Sequence, residues 1–238
     1  PVNPLTFATN WNRSFELVVD APVAGVLLLH GLSDSPYSLR AVAETLHGRG
    51  VQVVGLRLPG HGTLPGELDT VHRDDWLAAT AMALRHVRTV VGEERPVLLV
   101  GYSNGAAVAL RLSLDALLAG ERPPDRLILL SPAIGVSELA RVAGLHRMLS
   151  WMPWFEKLRW TDLAFEVEPY KYGSFTKHGG RQTYLLTRDI QRRLDRLEAA
   201  GRLDEVPPVL AFASLADATV RVEAMVTGWF GRVGGAED

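Results

Sequence analysis

The chain has 238 residues, 47% of them hydrophobic and 22% charged, with a formal net charge of -2. That length suits one domain, or one domain carrying an insertion; the near-balance of charge excludes a broad nucleic-acid or anionic-membrane surface, which needs clustered Lys and Arg. No apolar run approaches the ~18 residues of a membrane span, and the absence of cysteine excludes disulfides, a thiol nucleophile and a Cys metal site. The sequence opens at Pro1, so a leader or anchor upstream is left open; a cytoplasmic location is the default.

In chain order, the first β-rich runs are FELVV (15–19) and GVLLL (25–29), the second leading straight into His30-Gly31-Leu32-Ser33-Asp34-Ser35-Pro36-Tyr37. A helical pattern over 36–48 follows, then VQVVGL (51–56), a PGHG loop containing His61, and a second helical pattern over 74–91. PVLLV (96–100) enters Gly101-Tyr102-Ser103-Asn104-Gly105 and an alanine-rich helical stretch at 104–119, after which comes RLILLS (126–131). Buried runs alternating with helices predict right-handed βαβ units. The fold class is therefore α/β, with a mostly parallel, doubly wound sheet covered on both faces.

The alternation breaks over 137–205, which lacks an obvious strand and carries Trp151, Trp154, Phe155, Trp160, Phe165, Tyr170, Tyr172 and Phe175. Residues 181–200 read as an amphipathic helix with a basic outer face. The expectation is a mostly helical cap insertion at 137–205 on a core formed by 1–136 and 206–238. Singly, its aromatic residues are packing groups; together, with Trp151, Trp154 and Trp160 foremost, they form an apolar wall for substrate. Beyond the insertion, VLAFAS (209–214) restores the strand pattern, and a helical pattern covers 217–228.

The GYSNG turn carries the chemistry. A serine whose hydroxyl projects from the end of a sheet sits on a sharp, strained strand-to-helix turn, and only small residues fit two positions before and after it. Gly101 and Gly105 occupy those positions around Ser103. The helix that begins at once offers free N–H groups to an oxyanion, so this is a nucleophile elbow, G-x-S-x-G. An oxyanion hole needs two backbone donors. Asn104, after the nucleophile, supplies one, and Leu32, in the loop after the GVLLL strand, is in position for the other. His30 reads as a residue that holds its loop by hydrogen bonding rather than as a base.

These stretches resemble the α/β-hydrolases, and within them the bacterial carboxylesterase and monoacylglycerol-lipase-like group. LLLHGLSDSPYSLR is similar to that group's oxyanion loop, and LRLPGHGTLPGELDTVHRDDW to its PGHG loop followed by an acidic-aromatic helix start. With GYSNG, the resemblance covers about 24–120, then 126–136 and 207–228; the insertion matches no signature of the group. The resemblance implies an α/β-hydrolase fold with a helical cap and serine-hydrolase chemistry. It also implies a small-molecule ester as substrate, without metal or organic cofactor.

In this fold the triad runs Ser, acid, His. Ser214-Leu215-Ala216-Asp217 aligns with the group's acid-bearing loop and makes Asp217 the acid, a role compatible with capping the helix that follows. Glu138 is the outside alternative. All seven histidines precede Asp217. His61 reads as shaping the PGHG loop, and His47, His72 and His86 fall in ordinary helix or loop contexts. His146 and His178 lie in the insertion. The expectation is therefore a chain lacking a C-terminal portion that bears the base. Two rivals remain at this level: a serine aminopeptidase using Glu166 and Glu168 to bind an amino terminus, and an inactive scaffold that binds a ligand in the same cleft. Dehalogenase chemistry is disfavoured, because it puts aspartate where Ser103 sits.

Overall fold

Continuous apolar runs become the strands of a six-stranded sheet in the computed structural model, which describes residues 10, 12–134, 160–162, 164–214 and 225–233. Its strands are β1 (Phe15–Leu17), β2 (Ala24–Leu29), β3 (Val51–Leu56), β4 (Val97–Tyr102), β5 (Arg126–Leu130) and β8 (Val209–Phe212), in the order β1-β3-β2-β4-β5-β8. β1 is antiparallel to β3; every other pairing in the sheet is parallel. Strand order reverses at β2, with β3 on one side and β4 on the other. Open parallel sheets place their ligand crevice beyond the carboxyl ends of such strands. Leu29 pairs with Gly101, so β2 and β4 end level and release their loops side by side.

Two layers cover the sheet. Val26, Leu28, Val53 and Val100 face α1 (Arg40–His47), packing with Leu39 and Ala43. Leu27, Leu29, Leu99 and Leu127 face the larger layer of α2 (Arg73–Val91), α3 (Asn104–Ala119) and α4 (Lys177–Ala199). Because β2 is buried on both faces, its sequence shows no apolar–polar alternation. α2 starts with a reciprocal cap in which the His72 N–H donates to Asp75 Oδ2 at 2.8 Å. Among the described residues no helix is long and apolar enough to cross a membrane.

α4 lies within the stretch expected to be an insertion, yet its inner face is part of this core. Leu186, Ile190, Leu194 and Leu197 are fully buried in the cluster that holds α3. Arg73 of α2 pairs with Asp189 at 2.9 Å, and Arg193 pairs with Asp115 of α3. Arg188, Arg192 and Arg196 make the basic outer face. Such half-buried ion pairs resist solvent screening and fix how the three helices sit.

The stretch 137–205, expected to lack strands, holds β6 (Trp160–Asp162) and β7 (Phe175–Thr176), an antiparallel pair matching Trp160 to Thr176. Runs of three and two residues are too short to show the alternation that marks a strand. Near the end, Val226–Phe230 forms a π-helical turn continued by Gly231–Val233, and Trp229 is buried there. Glu138, His146, Trp151, Trp154 and Asp217 lie outside the described residues.

Candidate active site

The turn between β4 and α3 is held in a conformation that few residues adopt. Ser103 has φ 52° and ψ -111°, and its only company among the described non-glycine residues at positive φ is Ser131 at 41°. Backbone of this kind costs about 1–3 kcal/mol and persists only where the surroundings over-determine it. Here the Ser103 N–H donates to Leu130 O at 2.9 Å. The Ser103 carbonyl accepts from Ala106 N and Ala133 N, both at 3.1 Å. Both backbone groups are thus engaged, while the N–H groups of Asn104 and Gly105, at the head of α3, have no preceding helical turn to donate to.

Gly101 and Gly105 are explained by their neighbours. A Cβ on Gly101 would lie 2.4 Å from the Cα of Ala106, and one on Gly105 would lie 2.2 Å from Leu29 O. The second contact runs across the β2–β4 boundary and presses α3 onto the end of β2, where the Leu32 loop begins.

That loop is braced by two imidazoles. The His30 ring contacts Gly31 O through Nδ1 at 2.8 Å, and the Leu58 N–H donates to His30 Nε2 at 3.1 Å. The two contacts define a neutral ring carrying its proton on Nδ1. Burial holds the His30 pKa well below the usual histidine value, with a further push from His61. His61 reaches Pro59 O at 3.0 Å through Nδ1 and Leu32 O at 2.8 Å through Nε2. Two facing carbonyls favour a charged ring, but burial outweighs them and lowers its pKa. Both histidines are committed to loop shape. The sequence assigned His61 to its own PGHG loop; its hold on Leu32 has no local signal, because the partner is 29 residues away.

A cleft of about 290 Å³ opens outside this loop, between 62–66 and 166–172. Asp34, Glu166, Glu168, Tyr170 and Tyr172 are among its walls. Burial raises the Asp34 pKa, against the pull of Lys171. Both oxygens of Glu166 accept backbone N–H bonds, from Gly173 at 2.8 Å and Ser174 at 2.9 Å, so this carboxylate closes a turn. Tyr172 stacks on His61 with ring centroids 6.3 Å apart, and its N–H donates to Ser33 O at 2.7 Å. Of the other expected aromatic wall, Trp160 is half-buried on β6 and Phe165 points into solvent, 93% exposed.

The elbow and the Leu32 loop therefore meet at the level ends of β4 and β2. Asn104 is fully buried, and its side chain meets α4. Among the described residues no group of three His, Asp or Glu is placed to hold a metal ion.

The family model described as serine aminopeptidase, S33, matches residues 20–229. A thermostable monoacylglycerol lipase from Bacillus sp. (strain H-257) is 40% identical over 55 residues, a stretch that is 23% of this chain and only 22% of that lipase. Among solved structures, a metagenome-derived lipolytic enzyme superposes with a TM-score of 0.69 at 19% identity, covering 91% of this chain and 82% of its own. A soluble variant of the monoglyceride lipase from Saccharomyces cerevisiae gives 0.62 at 14% identity, over 90% of this chain and 77% of its own. At these identities the superpositions establish the α/β-hydrolase fold.

Proposed function

The chain belongs to the serine aminopeptidase S33 family of α/β-hydrolases, and from that premise we propose that it cleaves carboxylic esters through an acyl-enzyme on Ser103. The substrates are small, uncharged and acyl-bearing. The observation that carries this reading is the strained Ser103 backbone at the head of α3, beside the loop that holds Leu32.

Ser103 Oγ attacks the ester carbonyl as a general base takes its proton, and the N–H groups of Leu32 and Asn104 receive the developing oxyanion. The base then returns the proton to the departing alcohol, and water repeats the cycle on the acyl-enzyme. His30 and His61 are buried and committed to backbone partners, and His178 contacts Val71 O at 2.9 Å, so none of the three is assigned as the base. Asp217 is the acid that orients it. An Asp217→Asn variant should keep the fold and lower kcat, whereas Glu138→Gln should leave kcat intact. The reverse pattern would transfer the role to Glu138.

An ester is preferred to a peptide on one point. An aminopeptidase would need Glu166 and Glu168 free for an amino terminus, and Glu166 already accepts two backbone N–H bonds while Glu168 accepts from the Tyr170 hydroxyl. The lipases named above act on acyl esters, in keeping with this choice.

The test is a series of p-nitrophenyl esters of rising acyl length on the full-length protein. Each methylene buried against an apolar wall contributes about 0.8 kcal/mol, roughly fourfold per carbon. We expect kcat/KM to rise from acetate towards butyrate or hexanoate before pocket length stops it. Trp151→Ala, Trp154→Ala and Trp160→Ala should flatten that rise more than they slow acetate. A series that falls steadily from acetate, or variants that lose every ester equally, would assign the tryptophans to packing alone.

A further inference from the structure

Both expected oxyanion donors belong to residues that lie beside one face of the same helix, and that helix is not the one that carries the nucleophile. Thr183 Oγ1 on α4 donates to Asn104 Oδ1 at 2.9 Å, and both residues are buried. One turn earlier, a Cβ added to Gly179 would lie 3.7 Å from Leu32 Cδ1 and 3.5 Å from the Cβ of Leu68, so the bare backbone there faces the Leu32 side chain. Positions four apart share a helix face, so Gly179 and Thr183 form one surface that faces the Leu32 side chain and holds the Asn104 amide. Asn104 Nδ2 has no hydrogen-bond partner. Turning the amide over would let Nδ2 donate to Thr183 Oγ1, while the hydroxyl donates to Gly179 O at 3.3 Å. In either orientation the Asn104–Thr183 link remains.

We propose that this face of α4 is a brace that sets the spacing of the two oxyanion donors, with Thr183 as the positioning residue. The inference rests on the reading of Ser103, Leu32 and Asn104 given above. Neither Thr183 nor Gly179 touches the reacting atoms. Their effect passes through the first turn of α3 and through the Leu32 loop. α4 is suited to the task because it is anchored elsewhere: Thr176 caps it by accepting from the Gly179 N–H at 3.1 Å, His178 contacts Val71 O, and Asp189 pairs with Arg73. Oxyanion stabilisation depends on donors already held where charge will develop, and a misplacement of about 1 Å can cost on the order of a hundredfold in rate.

The experiment compares Thr183→Val, Thr183→Ser and Thr187→Val in the full-length protein. Thr187 is the internal control: it is buried one turn further along α4, and its hydroxyl donates to Tyr184 O at 2.8 Å. Four quantities are measured: kcat and KM on p-nitrophenyl butyrate, the second-order rate of fluorophosphonate labelling, and the melting temperature. Thr183→Val should lower kcat and the labelling rate by about tenfold each with KM within about twofold, because donor spacing matters in the transition state and not in ground-state binding. Thr183→Ser should restore most of the rate. Thr187→Val should lose a comparable amount of melting temperature but keep its rates. Thr183→Ala, which removes the hydroxyl without adding a methyl to the packed face, keeps the proposal open to refutation if Thr183→Val does not fold. It too should lower kcat and spare KM.

A Thr183→Val protein that labels and turns over as fast as Thr187→Val overturns the brace alone. So does a serine variant no better than valine, or a loss confined to KM. A wild type that neither labels nor turns over overturns the reading of Ser103 and the brace with it.

Discussion

Replacing Ser103 by alanine should abolish fluorophosphonate labelling and reduce ester turnover by about 10⁶, to the level of the uncatalysed background plus whatever the remaining site supplies. The size of the loss follows from the geometry of one residue. The elbow confines Ser103 to φ 52° and fastens its N–H to Leu130 O, so its Oγ is presented at the end of β4. Ser131, the other non-glycine residue at positive φ among those described, follows β5 but leads into Pro132-Ala133-Ile134, which are not helical. The fold should survive, because alanine meets the same backbone cost at φ 52° as serine does and removes no backbone bond. Stability should stay within about 0.5 kcal/mol of wild type, the range of substitutions that disturb no packing or buried bond. Intact-mass analysis after labelling, followed by peptide mapping, decides the matter. Label recovered on any other serine would show that the elbow is only a tight turn.

How far the sequence leads depends on the range over which each feature is encoded. β2 to β5 are legible because each is a short apolar run closed by turn residues, and GYSNG is legible because its steric demand is satisfied within five positions. The parallel order follows from the helices in between. What the sequence conceals is contact across long separations. That α4 belongs to the α3 layer depends on Leu186, Ile190, Leu194 and Leu197 meeting residues some eighty positions away; locally they mark only an amphipathic helix. The His61 contact with Leu32 O and the Thr183 contact with Asn104 Oδ1 are invisible for the same reason. β6 and β7 escape notice because two or three residues carry no period. The role of Glu166 is hidden as well, because nothing beside it in the sequence marks a carboxylate that satisfies two backbone donors seven and eight positions on.

The second large effect is structural and comes from the same turn. Gly105→Ala should prevent the protein from accumulating in a folded, soluble form, or cost at least about 4 kcal/mol where it does fold. The new methyl would lie 2.2 Å from Leu29 O, 2.6 Å from Leu29 C and 2.7 Å from His30 O, all backbone atoms that no rotamer change can move. Leu29 is fully buried at the centre of the sheet and is paired with both β3 and β4. Relief therefore has to come from α3, which would retreat by about 1 Å to restore ordinary contact and would carry Asn104 away from the Leu32 loop. A variant that folded by that route should still lose about a hundredfold in kcat, since displacements of that order cost that much. Gly120→Ala is the comparison on the same helix: φ is +70° there, but nothing stands within 4 Å of the added methyl. It should cost only about 1 kcal/mol, the penalty of a left-handed alanine. Thermal melts and soluble yield of the two variants separate the effects. If Gly105→Ala melts within a few degrees of Gly120→Ala, α3 has room to move at no cost, and the close seating of the elbow on β2 would not be what fixes the position of Asn104.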